Sequence, residues 1–256
     1  MKHISSRDNP QYKRLLRLAA GKEEGQVLLE GIHLCQDWLS HQGEPLLAVF
    51  DSERLQHGGE LAALAGRLNA GLCISCEPAL MQRLSQVEHG QGVCFVAPIP
   101  RLAPPPRIAH NCLWLDRVQD PGNVGTLLRT AAAAGITHAY LSSGTASAWS
   151  PKVLRSAQGA HFIMSIYEHL DLLAERKKLA VPLVATALEH AQSLYALPLP
   201  PQCAWLVGNE GRGVAPELLD QADIRVFIPQ VREVESLNVA AAAAICLFEQ
   251  RRQHVC

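Results

Sequence analysis

Ala204-Trp205-Leu206-Val207-Gly208-Asn209-Glu210-Gly211-Arg212-Gly213 is a run of four apolar residues that ends on a glycine-rich polar turn. Four continuous apolar residues without alternation predict a strand buried on both faces, as in a parallel sheet covered by helices. The turn follows where that strand gives out, and in α/β proteins ligands bind beyond the carboxyl ends of strands. It is not a phosphate-binding Walker loop, because no Lys-Ser/Thr pair ends it. Nor is it the dinucleotide fingerprint, since its glycines are spaced G-x-x-G-x-G. Glycines at these positions let the backbone approach a flat ligand and present amides and carbonyls to it.

Two more blocks of the same character stand at the edges of apolar runs: Asn123-Val124-Gly125 with Arg129 following, and Ser236-Leu237-Asn238. Three separated blocks of one kind predict that a single site is being assembled. Ser236 or Asn238 can cap the helix that begins with Val239-Ala240, and Asn123 can cap the helix that carries Arg129. Arg129 lies within Leu127-Leu128-Arg129-Thr130-Ala131, where a guanidinium needs a carboxylate or phosphate partner. Glu210 and Asp116 are the structural candidates; a bound phosphate is the functional one.

The strands and helices around these blocks alternate. Beyond residue 107 the pattern predicts strands at 112–115, 139–142, 161–166, 183–186, 204–207 and 224–228. Helices are predicted at 123–134, 151–157, 170–178, 216–221 and 238–250, with Gly135 as a left-handed stop. The result is a mostly parallel sheet covered on both faces. Five prolines within Pro98-Ile99-Pro100-Arg101-Leu102-Ala103-Pro104-Pro105-Pro106 form a stiff connector over 98–107. It separates a first domain, 1–97, from a second, 108–256. In the first, helices at 10–20, 32–40, 59–68 and from Pro78 alternate with strands at 26–29, 46–50, 71–75 and 93–97. That pattern predicts a small N-terminal α/β sandwich.

The chain has 256 residues, 48% of them hydrophobic, with a net charge of −1, so a packed globular protein is expected. No apolar run approaches the roughly 20 residues that span a bilayer, and the N-terminus lacks the apolar core of a signal peptide. The eight cysteines are scattered, several inside strand-like runs, and read as buried thiols of a cytoplasmic protein. Cys73-Ile74-Ser75-Cys76 has CxxC spacing, but no second pair accompanies it, and it reads as two small strand residues. The eleven histidines show no ligand spacing, and no metal is expected. Charge is uneven: residues 1–22 hold six Lys or Arg against one Asp. Lys13, Arg14 and Arg17 share one side of the first helix, a local patch able to hold a phosphate backbone.

Together the blocks carry a resemblance. Asn123-Val124-Gly125-Thr126-Leu127-Leu128-Arg129, Gly208-Asn209-Glu210-Gly211-Arg212-Gly213, and Ile228-Pro229 followed by Ser236-Leu237-Asn238 resemble the three motifs of the SpoU (TrmH-like) family. That family comprises S-adenosylmethionine-dependent RNA ribose 2′-O-methyltransferases within the SPOUT superfamily. The resemblance covers about 110–251, and Ser150-Pro151-Lys152-Val153 with Gly159-Ala160-His161-Phe162 fits the stretch between the first two motifs. It implies a C-terminal α/β trefoil-knot domain whose loops hold S-adenosylmethionine, with Gly208, Ile228 and Leu237 as contacts. It also implies Arg129 as base or anchor, oriented with Asn123, Glu210, Ser236 and Asn238, and a homodimer seamed by the alanine-rich terminal helix.

Ile4-Ser5-Ser6 with Asn9-Pro10, and Leu29-Glu30-Gly31-Ile32, resemble the ribosomal-protein-like RNA-binding domain of the rRNA-modifying members. The implied substrate is therefore rRNA ahead of tRNA, gripped in part by Lys13, Arg14 and Arg17. Lys22-Glu23-Glu24-Gly25 departs from the basic cluster usual there. The alternatives are a tRNA 2′-O-methyltransferase, a non-catalytic RNA-binding protein of the same fold, and a nucleotide- or NAD-binding α/β enzyme. The spacing of the glycines and the missing acidic ribose ligand count against the last.

Overall fold

A computed structural model describes every residue of the chain except Arg232, Glu235 and Cys256, and Val255 by its backbone alone. Two compact units result, Met1–Pro100 with Trp149–Leu154, and Arg101–Ala148 with Arg155–Cys256.

The first unit runs β1 (Lys2–Ile4), α1 (Pro10–Ala19), β2 (Gln26–Glu30), α2 (Ile32–His41), β3 (Leu47–Asp51), α3 (Ser52–Gln56), α4 (Gly59–Gly66), β4 (Cys73–Cys76), α5 (Pro78–Leu84) and β5 (Val93–Pro98). Its five strands form one mixed sheet in the order β1-β4-β3-β5-β2, with β5 antiparallel to both neighbours. Asn9 starts α1, its side chain accepting from the N–H of Gln11 and Tyr12, and Pro10 occupies the first turn, where a missing N–H costs nothing. Tyr12, Leu15 and Leu18 then face inward at helical spacing. They pack with Leu80 and Leu84 of α5 on alternate strand residues Leu28, Val49, Ile74 and Val96. The buried Tyr12 hydroxyl is satisfied by the Leu80 carbonyl at 3.0 Å. Cys73 and Cys76 are strand residues of β4, as expected. A separation of three along a strand points them to opposite faces, and both thiols are raised by burial, Cys76 to about 11.

The rest of the chain runs β6 (Cys112–Leu115), α6 (Pro121–Ala133), β7 (His138–Ser142), α7 (Pro151–Ala157), β8 (Ser165–Leu170), α8 (Leu172–Arg176), β9 (Leu183–Thr186), β10 (Gln192–Ser193), β11 (Ala204–Val207), α9 (Pro216–Leu219), β12 (Ile224–Phe227) and α10 (Val239–Val255); all of it belongs to the second unit except the start of α7, which is counted with the first. The seven strands of the second unit are all parallel, in the order β10-β12-β9-β11-β6-β7-β8. The chain steps outward from β6 to β8, then returns so that β11 lies between β6 and β9. The apolar runs that predicted strands are the buried centre: Cys112, Leu113, Trp114 and Leu115 of β6, and Ala204, Leu206 and Val207 of β11. Trp205 is buried too, its indole N–H donating to Gln250 of α10 at 2.8 Å.

Two expected strands are displaced; that over 71–75 starts at Cys73, after a 3-10 turn at Ala70–Leu72. Residues 161–166 do not extend from His161; a single 3-10 turn covers Ala160–Phe162 and β8 begins at Ser165. Gly159 turns the chain at φ +84, and the buried His161 ring is held against the Ala148 carbonyl at 2.6 Å. Burial lowers the pKa of that imidazole to about 4, so it is neutral. Among the described residues no helix is long and apolar enough to cross a membrane, and no three His, Cys, Asp or Glu are grouped to hold a metal.

Candidate active site

The parallel strands deliver four loops to one edge of the sheet. Segments 186–190 after β9, 208–214 after β11, 225–228 at the end of β12 and 236–239 before α10 line a cleft of about 740 Å³. That volume lies within the range of small-molecule sites, roughly 300–1,000 Å³. Gly208, Ile228 and Leu237, read from sequence as ligand contacts, are all in its wall, as are Glu210, Ser236 and Asn238.

The 208–213 turn is closed on itself. Asn209 and Gly213 exchange backbone hydrogen bonds at 3.0 and 2.8 Å, and the Asn209 carboxamide oxygen accepts from the N–H of Gly211 and Arg212. The Asn209 amide donates to the Arg117 carbonyl at 2.8 Å, fixing the turn to the loop after β6. A Cβ at Gly208 would fall on the backbone of Gly213 and Val214, so glycine is required there by close approach.

Glu210 reaches out of the turn to the start of α6. Its carboxylate accepts from the N–H of Gln119 and of Asp120, both at 3.1 Å, and from the Asn123 amide at 3.0 Å. A negative charge there also meets the positive end of the helix. Partial burial pushes the carboxyl pKa up, but hydrogen bonds from Asn123 and from backbone N–H groups outweigh it and hold the value below the ordinary one.

Acceptor-only Glu210 leaves Asn123 one orientation, with its amide towards the carboxylate and its oxygen free to accept. That oxygen accepts from the Asn238 amide at 3.0 Å. The oxygen of Asn238 in turn caps α10, accepting from Ala240 and Ala241 N–H at 2.9 and 3.3 Å. One continuous chain of hydrogen bonds therefore joins the three sequence blocks. Ser236 is exposed in the cleft wall, beside the tie but outside it.

Two details differ from expectation. Asn123 is not the cap of α6; Asp120 is, accepting from Asn123 N–H at 3.0 Å, with Pro121 in the first turn. Asn123 stands inside that turn, which frees its side chain for the tie. Arg129 has no structural partner in Glu210 or Asp116 either. Asp116 is buried and held by Arg117, at 3.0 and 2.9 Å, and by the Ala215 N–H at 2.8 Å. Arg129 is exposed and, among the described residues, its guanidinium has no hydrogen bond or ion pair. It lies outside the cleft wall, six residues along α6 from Asn123, a rise of about 9 Å.

A family model of the SpoU rRNA Methylase family matches residues 110–248. The chain belongs to that family. A SpoU relative, the 23S rRNA (guanosine(2553)-2'-O)-methyltransferase RlmP of Bacillus subtilis, is 34% identical over 98% of this chain and 100% of its own length. The 23S rRNA (guanosine-2'-O-)-methyltransferase RlmB of Nitrosomonas europaea is 31% identical, covering 88% of this chain and 90% of its own. Among solved structures, the AdoMet-bound rRNA methyltransferase of Sinorhizobium meliloti superposes with a TM-score of 0.84 at 28% identity, covering 100% and 99% of the two chains.

The SpoU motifs thus meet through Glu210, Asn123 and Asn238, while Arg129 stands apart from the tie. Sequence reading missed three supports of this SpoU site, Arg117, Asp120 and the 186–190 segment, and named Asp116 for a different partner, Arg129. The 186–190 segment follows a strand that was foreseen, so extending the strand-end rule to β9 would have found it. Of the three basic residues of α1, Lys13 pairs with Asp8 and Arg17 with Glu23 of the departing acidic segment, whereas among the described residues Arg14 meets only the neutral Gln26.

Proposed function

We propose that this protein transfers a methyl group from S-adenosylmethionine to a ribose 2′-hydroxyl of ribosomal RNA. One observation carries the reading. The Glu210–Asn123–Asn238 tie builds a rigid cleft at the strand ends and leaves a single unpaired guanidinium, Arg129, on the helix that starts there. The cleft fits the donor in size and character: apolar Ile228 and Leu237 suit a flat ring, and the tight turn at Gly208 offers backbone groups. Full-length relatives named as rRNA methyltransferases favour rRNA over tRNA.

When bound, the donor supplies a methyl group on a positively charged sulfur; the sulfur keeps the electrons of the broken carbon–sulfur bond, and the ribose hydroxyl gives up its proton to water or a neighbouring RNA phosphate. The protein's own task is positioning. Gly208, Ile228 and Leu237 hold the donor, and Glu210, Asn123 and Asn238 keep those loops in register. Arg129 anchors the acceptor nucleotide through a phosphate or polarises its hydroxyl. An arginine gives up its proton too reluctantly for base catalysis to be its main role.

Within the same reading, α1 contributes to gripping the RNA, and the chain works in the cytoplasm as a knotted homodimer. The insertion of late strand β11 between β6 and β9 supports the knot. The apolar stripe of exposed Ala241 and Phe248 with half-buried Ile245 on α10 supports the seam. Mapping ribose methylation of rRNA in cells with and without the protein tests the substrate: one site should disappear. Arg129→Ala should retain donor binding by calorimetry and lose methyl transfer by at least about a hundredfold. Full turnover by that variant removes the role given to Arg129.

A further inference from the structure

The first unit contains a pocket that methyl transfer does not use. Leu15 and Leu18 of α1 and Val96 of β5 form its buried floor; Gln11, Arg14 and Gln26 stand around it. Its volume is about 150 Å³, the size of cavity that takes one small aromatic ring system. Leu46 is also in the wall, and 48% of it is exposed, so apolar surface remains available to a ligand.

The polar groups are two primary amides and a guanidinium. The Gln11 oxygen accepts from Lys2 at 3.5 Å and the Gln26 oxygen from Arg14, which leaves the two amide NH2 groups as donors for acceptor atoms on the edge of a nucleobase. The charge around them is positive. Residues 1–22 carry six Lys or Arg against one Asp, and Lys13 and Arg17 already have carboxylate partners. Arg14 has none among the described residues; its guanidinium donates to the Gln26 oxygen and retains its full charge. The uncompensated cation of α1 is therefore the one at the pocket.

We infer that this pocket takes one unstacked base of a single-stranded RNA segment, with Gln11 and Gln26 reading its edge and Arg14 on the adjoining phosphate. RNA is recognised by sequence mostly where bases are splayed out of a helix, and an apolar floor with polar walls suits such a base. The assignment rests on the proposal that α1 grips RNA, and deepens it from charge attraction to base recognition.

Fluorescence anisotropy with the full chain tests it, using short oligouridylate, oligoadenylate and an abasic ribose-phosphate strand of equal length. The wild type should bind one of the base-bearing strands more tightly than the abasic one. The double variant Gln11→Ala, Gln26→Ala should lose about tenfold affinity for that strand and none for the abasic strand. Arg14→Ala should weaken both and reduce the salt dependence. Equal binding of all three strands by the wild type overturns the pocket without any variant having to fold. So does a folded double variant with unchanged affinities. If Arg14→Ala still weakens both strands, the charged grip survives and only the base pocket falls; if Arg14→Ala and Lys13→Ala change nothing, the grip falls as well.

Discussion

At position 210 a carboxylate that reads from sequence as one more turn residue becomes the hub of the site. Its two oxygens take two backbone N–H groups and the Asn123 amide. Glu210→Gln would turn an amide against those donors, at a cost of about 1 kcal/mol, kept small by solvent at this exposed position. The pH dependence has a definite sign. Because the folded carboxyl is held below its ordinary value, its contribution is complete above the unfolded pKa of about 4.3 and is lost as pH falls through the lower folded value. The difference in melting temperature between wild type and Glu210→Gln should therefore be largest near neutrality and shrink in acid. Calorimetry across the acid range measures it, and a difference independent of pH would show that the carboxylate charge is not what holds the loops.

Among the elements, the 208–213 turn is the least tolerant. Its shape needs no side chain at Gly208, and Gly208→Ala forces the returning backbone to move. Overpacking of this kind costs typically 1–3 kcal/mol, so the variant should melt several degrees lower and fail to bind S-adenosylmethionine in calorimetry. Normal donor affinity in that variant would place the donor elsewhere. The longer elements were legible for a simple reason: β6, β9 and β11 are continuous apolar runs, and α1 and α6 repeat apolar residues every three or four positions. Elements too short for a period were not. β1, α3 and β10 have two to five residues each and exist because a neighbour pairs or packs with them. The displaced start of β8 has the same cause, since Gly159 and the His161 contact with Ala148 outweigh an extended local pattern.

For the molecule as a whole, the partly exposed apolar stripe on α10 carries the prediction about assembly. Phe248 is 46% exposed beside Ile245 and Ala241, one turn apart along the helix. Phe248→Glu should give a monomer in sedimentation, with donor binding retained and methyl transfer lost. A dimer that persists in this variant moves the seam to another face.

From the sequence alone came the strand-and-helix alternation, the three polar blocks and their family, because each is written in local pattern or in ordered motifs. Which atoms meet could not be read there. Asn123, Glu210 and Asn238 are separated by long stretches of chain, and Asn123 serves equally well as a cap or as a bridge until Asp120 takes the cap. Arg129 looked able to pair with either nearby acid, and only packing showed both acids engaged and the guanidinium left in solvent. Partner choice among polar groups depends on distances that folding sets, whereas the hydrophobic period that builds each element is a property of neighbours in the chain.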